Sequence, residues 1–237
     1  MQVNLNPEQV AAFYHDEFVR QQVDHFKKIA LPSVKAGSFV VDIGGGCGHF
    51  AGAIKKEMNL CTRVIDVDPV SVDSALRLGV EAMVGDALQP EKKNDEGLVC
   101  FNLILHHLVA TSENETLALQ AGALSSWRES GVKVFVNEYI YESWFCDLSG
   151  RLIYQITKSK FLSKVGEIVS KAVPSLKANT FGVGVRFRSV NEWKKIFINA
   201  GFEVEAELKG EEEFISLPRR LLLIKKIRRD SFLLAAK

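Results

Sequence analysis

Val40-Val41-Asp42-Ile43-Gly44-Gly45-Gly46-Cys47-Gly48-His49-Phe50 is an apolar run that empties into a glycine-rich turn and then into a helical pattern. Glycine at 44, 46 and 48 lets the backbone turn sharply and come close to a ligand with no Cβ in the way. The helix that follows presents unpaired N–H groups and the positive end of its dipole, which suits a carboxylate or a phosphate. A ligand with an anionic end therefore belongs at this turn. A dinucleotide fingerprint wants Gly-x-Gly-x-x-Gly, and counting from Gly44 puts His49 where the third glycine should stand. Asp42, two residues before the first glycine, would repel a pyrophosphate but can accept from an ammonium group. An amino acid joined to a nucleoside fits better than a dinucleotide.

Working outward, the chain alternates short apolar strands with helical segments. The strands are FVVDI at 39–43, TRVID at 62–66, EAMV at 81–84, LVCFNLIL at 98–105 and VKVFVNEYIY at 132–141, with helical spacing at 50–58, 70–78 and about 112–127 between them. Strand and helix repeated at this pace predict a parallel sheet with helices on both faces. After Tyr141 the rhythm breaks, and residues 142–188 carry Gly, Pro and Ser punctuation around one helical stretch. The pattern resumes with a helix at 192–200, then FEVEAEL at 202–208 and RRLLLIKKI at 219–227, which supply a C-terminal antiparallel hairpin. The fold class is thus α/β, a doubly wound, mostly parallel seven-stranded sheet in one domain. Residues 1–30 place Val10, Phe13, Tyr14 and Phe18, then Val19, Val23, Phe26 and Ala30, at helical spacing. This N-terminal helix and the insertion 142–188 have the usual place of a lid.

The strand ends extend the ligand reading. Asp66 closes the second strand about twenty positions past the glycine turn, where an acid can hold both ribose hydroxyls. Asp68, just before Pro69, is a rival that serves equally well as a helix N-cap. Asp86 ends the third strand, where a carboxylate can accept from an adenine amino group while a neighbouring backbone N–H meets the ring.

At these residues the chain resembles a class I S-adenosylmethionine (SAM)-dependent methyltransferase of the small-molecule branch. VVDIGGGCGHF is similar to the family's glycine-rich motif, VIDVDP to its acidic second-strand motif and GDAL to its adenine-contacting motif, in the expected order and spacing. Residues 101–108 resemble the fourth-strand segment, and 188–202 the late helix and turn. The resemblance implies SAM as cofactor, with S-adenosylhomocysteine (SAH) as product. It implies contacts from Asp42, Gly44, Gly45, Gly46, Gly48, Asp66, Val67, Asp86 and Ala87. An aminopropyl transferase and a non-catalytic SAM-binding subunit remain alternatives on the same scaffold.

Candidates for the acceptor side are less sharply marked. His106 and His107 either face the pocket as a base or substrate contact, or begin a helix after the fourth strand. Glu138 lies at the end of the fifth strand, and alternation sends it to one face and Tyr139 to the other. Asn137 is a weaker candidate at the same strand end. Tyr14, His15, Tyr141 and Arg186 are the expected substrate contacts. Arg186 and Arg188 clamp an anionic group, or else pair with Glu203 or Glu205 along a strand edge. The middle of the insertion is basic: Arg151, Lys158, Lys160, Lys164, Lys171 and Lys177 face the single acid Glu167. Such a run reads as a solvated helix face, an anionic-substrate site or an amphipathic contact with a membrane surface.

Composition bounds the rest. Thirty Lys and Arg against twenty-nine Asp and Glu leave +1, so no global field draws the chain to nucleic acid. The resemblance also speaks against nucleobase and glutamine acceptors, because the fourth strand lacks the Asn/Asp-Pro-Pro-Tyr/Phe segment. No metal-ligand spacing stands out, and no run approaches the roughly 20 apolar residues of a membrane span. Four scattered cysteines without a CxxC pair read as reduced thiols. The expectation is a cytoplasmic monomer or homodimer without stable membrane insertion, acting on a small molecule that is either neutral or anionic.

Overall fold

The computed structural model describes residues 16–172 and 184–237. Its strands are β1 (Phe39–Ile43), β2 (Cys61–Asp66), β3 (Glu81–Val84), β4 (Glu96–Asn102), β5 (Lys133–Ser143), β6 (Phe202–Leu208) and β7 (Ile224–Ala236). They form one sheet in the order β3-β2-β1-β4-β5-β7-β6. The first five strands run parallel, and β7 is antiparallel to both β5 and β6. Strand order reverses between β1 and β4, and in open α/β sheets the crevice for a ligand opens beyond the carboxyl ends of the strands at that point.

Central parallel strands are covered on both faces, which is why β1 and β4 read as continuous apolar runs. On one face, helices α4 (Glu113–Ser125) and α7 (Val190–Asn199) bury Leu124, Trp193 and Phe197 against Val41, Phe101 and Val136. On the other, α1 (Asp16–Ile29) and α2 (His49–Met58) bury Val23, Phe26, Phe50 and Ile54 against Val40, Leu98 and Phe135. The second half of the N-terminal helix is therefore core, while the residues before Asp16, Tyr14 and His15 among them, lie outside the described residues.

Local chemistry sets the helix starts. Asp68 caps α3 (Pro69–Arg77), accepting from the backbone N–H of Val70 and Ser71, so the rival for the ribose does serve as an N-cap. Ser112 with Glu115, and Ser189 with Glu192, form reciprocal capping boxes at α4 and α7.

Three expectations need correction. The insertion holds two helices, α5 (Leu148–Lys158) and α6 (Lys160–Ala172), rather than one stretch. β4 stops at Asn102, and Leu105–His107 forms a 3-10 turn. The segment RRLLLIKKI is mostly not strand: α8 (Leu217–Arg220) is one helical turn, Leu221 is exposed, and β7 begins at Ile224 and runs on to Ala236. The reason is that β7 lies between two strands. Its polar residues are matched by partners there, Ser231 by Asn137 and His25, and Arg228 by Asp230, so it lacks the hydropathy signal of an ordinary strand.

Phe26 meets Phe50 and Phe135 edge-on at 5.7 and 5.6 Å and is fully buried. We expect Phe26→Ala to cost about 3–5 kcal/mol in urea denaturation, the usual range for deleting a buried ring. Phe214→Ala, at a position 85% exposed, should shift stability by no more than about 0.5 kcal/mol in the same assay.

Candidate functional site

The turn after β1 sits at the reversal point. Gly44 has φ 66°, and a Cβ there would meet the Ile104 side chain at 2.6 Å. At Gly45 a Cβ would lie 2.6 Å from Asp42 Oδ2, so the turn closes directly over that carboxylate. Asp42 is buried, and Asn102 Nδ2, across the β1–β4 junction, donates to its Oδ1 at 2.9 Å. Its Oδ2 has no hydrogen-bond partner among the described residues. Burial pushes the Asp42 carboxyl up to about 7, with the Asn102 bond opposing the shift and nearby Asp66 adding to it.

Asp66 ends the adjacent strand. Its Oδ2 accepts from Gly46 N at 2.8 Å and its Oδ1 from Asp68 N at 2.9 Å, so the acid that closes β2 also shapes the glycine turn. Burial raises its pKa, against the pull of those backbone donors. One strand further out, Gly85 N donates to Asp66 O, the Asp86 side chain is exposed and Ala87 is buried beside it. Val67 is partly exposed between the two acids. The three strand ends named from the sequence thus stand side by side at one rim.

The acid with an unpartnered oxygen and the second acid on the neighbouring strand offer acceptors of the kind that an ammonium and ribose hydroxyls would need, and the turn that only glycine can make offers backbone N–H groups of the kind that a carboxylate would need. No protein-family model and no curated protein matches the chain. Solved structures do. LepI in complex with SAH and a substrate analogue superposes with TM-score 0.57 at 12% identity, over 97% of this chain and 51% of that one. The magnesium protoporphyrin IX methyltransferase ChlM from Synechocystis PCC 6803, with bound SAH, gives 0.56 at 14%, over 100% of this chain and 90% of that one. A putative methyltransferase from Bacillus halodurans C-125 gives 0.54 at 16%, over 91% and 98%. The chain has the class I SAM-dependent methyltransferase fold. It spans about half the length of the LepI chains it matches.

On this methyltransferase fold a second cluster stands beyond the end of β4, beside the second half of β5, which runs on past Glu138 to Ser143 because β7 continues to pair with it. Glu138 is fully buried, and its Oε2 lies 2.7 Å from His106 Nδ1. The same carboxylate accepts from the backbone N–H of Leu105 at 2.7 Å and of Tyr139 at 3.1 Å. A carboxylate only accepts, so Nδ1 is the donor in this contact, and in the neutral ring Nε2 carries the lone pair. Leu103, which leads into this turn, holds φ at 55°, a costly value for a leucine and a sign that surrounding contacts dictate the backbone here. His107 lies against His106 with ring centroids 4.2 Å apart, and burial together with that neighbour holds its pKa well below the ordinary value. His107 is therefore a neutral imidazole at physiological pH.

Aromatic rings complete the cluster. Tyr141 stacks on Phe187 at 4.3 Å and 9°, Phe187 lies 4.9 Å from His106, and Tyr139 meets all three rings edge-on at 5.8 to 6.3 Å. Burial raises the phenol pKa of both tyrosines, so they stay protonated. Phe187 escaped sequence reasoning because nothing local marks it; only the return of the chain after the insertion, with Arg186 N donating to His106 O, brings it here. Asn102 was legible in principle, since alternation along β4 puts it on the Asp42 face. Asn137 shares that face, and its Oδ1 is buried without a partner among the described residues.

Arg186 does not stand in this cluster as a clamp. Its Nε bonds Glu113 at 3.0 Å, one Nη bonds Glu192 at 2.6 Å and the other donates to Phe187 O. Arg188 likewise bonds Gln120 and Glu113. Both arginines are buried, with ion pairs to Glu113 of α4 and Glu192 of α7, one Nη of Arg188 has no hydrogen-bond partner among the described residues, and neither arginine pairs with Glu203 or Glu205. No group of three or more His, Cys, Asp or Glu among the described residues could hold a metal ion.

The raised Asp42 pKa has a stability consequence. Folded Asp42 binds a proton more tightly than the unfolded chain does, so its contribution falls as pH climbs from 3.8 to about 7. The loss is on the order of 4 kcal/mol. Asp42→Asn should flatten the pH dependence of urea midpoints across that window, whereas an unchanged slope would remove Asp42 as its source.

Proposed function

We propose that the chain is a methyltransferase that uses SAM to methylate a small organic acceptor. The observation that carries this reading is the buried Asp42 carboxylate beneath the glycine turn, one oxygen without a donor, beside the Asp66 rim. LepI and ChlM, solved with SAM or SAH, support the cofactor. A phosphoethanolamine methyltransferase with its phosphomonomethylethanolamine and a geranyl diphosphate methyltransferase with GPP support a small acceptor.

In this reading Asp42 and the turn from Gly44 to Gly48 hold the amino-acid end, Asp66 and Val67 the ribose, and Asp86 and Ala87 the adenine. SAM brings a sulfonium methyl group that needs only an aligned nucleophile and exclusion of water. His106 Nε2, its lone pair fixed by Glu138, takes the proton from an acceptor hydroxyl or carbon acid. Glu138 stabilises the imidazolium that results and keeps the ring in place. Tyr139, Tyr141 and Phe187 wall the acceptor off from water. The part of the insertion that returns to the sheet, from Gly184 to Arg188, covers the His106 side of the site through Phe187, whereas Tyr14 and His15 lie outside the described residues. Arg186 and Arg188 tie the end of that insertion to α4 and α7 and leave acceptor recognition to the aromatic wall. Cys47, Cys61, Cys100 and Cys146 form no disulfide with one another, which fits a reducing cytoplasm.

Calorimetric titration tests the cofactor. SAH should bind the wild type, and Asp66→Ala should weaken it about hundredfold, the equivalent of two charge-assisted hydrogen bonds at roughly 1.5 kcal/mol each. Wild-type affinity in that variant would refute the ribose assignment. For the base, mass spectrometry across a panel of hydroxyl-bearing acceptors identifies a substrate first. His106→Ala should then keep SAH affinity and lower kcat by about 10²–10⁴. Binding of SAM with no turnover on any acceptor would point to a non-catalytic subunit.

A further inference from the structure

The outer face of the insertion puts large apolar side chains into water. On α6, Phe161 is 75% and Ile168 67% exposed, and Trp144 and Phe145, ahead of α5, are exposed as well. Phe161, Lys164, Ile168 and Lys171 follow one another at spacings of three and four, so they share one stripe of the helix, and all four are exposed. Ser163 points the opposite way: it is buried, and its hydroxyl donates to the carbonyls of Ile156 and Thr157 on α5. That contact fixes which side of α6 faces the protein and turns the stripe outward. The helix carries Lys160, Lys164 and Lys171 against one acid, Glu167.

A stripe that interleaves lysines with a phenylalanine and an isoleucine is charged for an anionic surface and apolar enough to enter it. A nucleic acid would meet the lysines but leave Phe161 and Ile168 in water. We propose that α6 is an interfacial helix that seats the protein on an anionic lipid surface, with Phe161 and Ile168 entering the headgroup layer and the lysines facing lipid phosphates. No helix among the described residues is long and apolar enough to cross a membrane, so the contact is peripheral. This surface is separate from the glycine turn, and the proposal holds whether or not the chain transfers methyl groups.

The test is co-sedimentation of the full chain with phosphatidylcholine vesicles, with and without phosphatidylglycerol. Association is expected with the phosphatidylglycerol vesicles alone and should weaken with added salt. Trp127 and Trp193 are fully buried, so an accompanying blue shift in tryptophan emission reports Trp144, the exposed tryptophan ahead of α5. Replacing Lys160, Lys164 and Lys171 by Gln should lower the affinity about hundredfold, at about fivefold per cation. Phe161→Ser with Ile168→Ser should lower it at least about tenfold. Both variants change exposed positions, so their circular dichroism and melting should match the wild type. Failure of the wild type to bind either vesicle overturns the proposal, as does equal binding by both variants. A dimer that Phe161→Ser dissolves would also overturn it and give the face to a second copy of this chain.

Discussion

The hydrogen bond from Asn102 to the buried carboxylate of Asp42 spans the place where the strand order reverses, and the geometry of the rim depends on it. It orients one carboxylate oxygen along the sheet and leaves the other under the glycine turn. A desolvated acid is expensive to fold around, and its second oxygen is left without a donor among the described residues. Asp66 extends the same logic, because its two oxygens hold the backbone of the turn and of the segment leading into α3. Side chains from β1, β2 and β4 therefore set the shape of one loop.

A second polar centre faces the other way. Glu138 gathers the N–H groups of Leu105 and Tyr139 and the His106 ring into one knot, which pins the 3-10 turn after β4 to the middle of β5. The insertion closes on this knot through Phe187, and the two arginines flanking that ring are anchored to Glu113, Gln120 and Glu192. The end of the insertion is thus clamped by buried ion pairs while its middle presents α6 to solvent. Removing one partner from such a pair leaves a buried charge uncompensated, so its value lies in fixing one arrangement more than in raw stability.

How much of this was legible differs by element. The glycine turn, the alternation of strands and helices and the N-cap at Asp68 are short-range signals, and residues within a few positions of one another decide them. The position of β7 was misread because its strand is buried between two others and carries Arg228, Asp230 and Ser231 where a pattern reading wants apolar residues. The helical content of the insertion was underread for a related reason: α5 and α6 break at Ser159 and pack on each other, which blurs a single period.

From its sequence alone, this chain is determined to be a doubly wound α/β protein with a ligand turn after its first strand and acids at the next two strand ends. Those features are written in local backbone preference and in the two-residue period of strands. The tertiary structure alone decided that His106 meets Glu138 across 32 positions, that Arg186 is committed to Glu113 across 73, and that His25 reaches Ser231 across 206. The physical reason is that a hydrogen bond or ion pair between distant residues leaves no trace in either neighbourhood, and only the packed sheet brings the partners within reach.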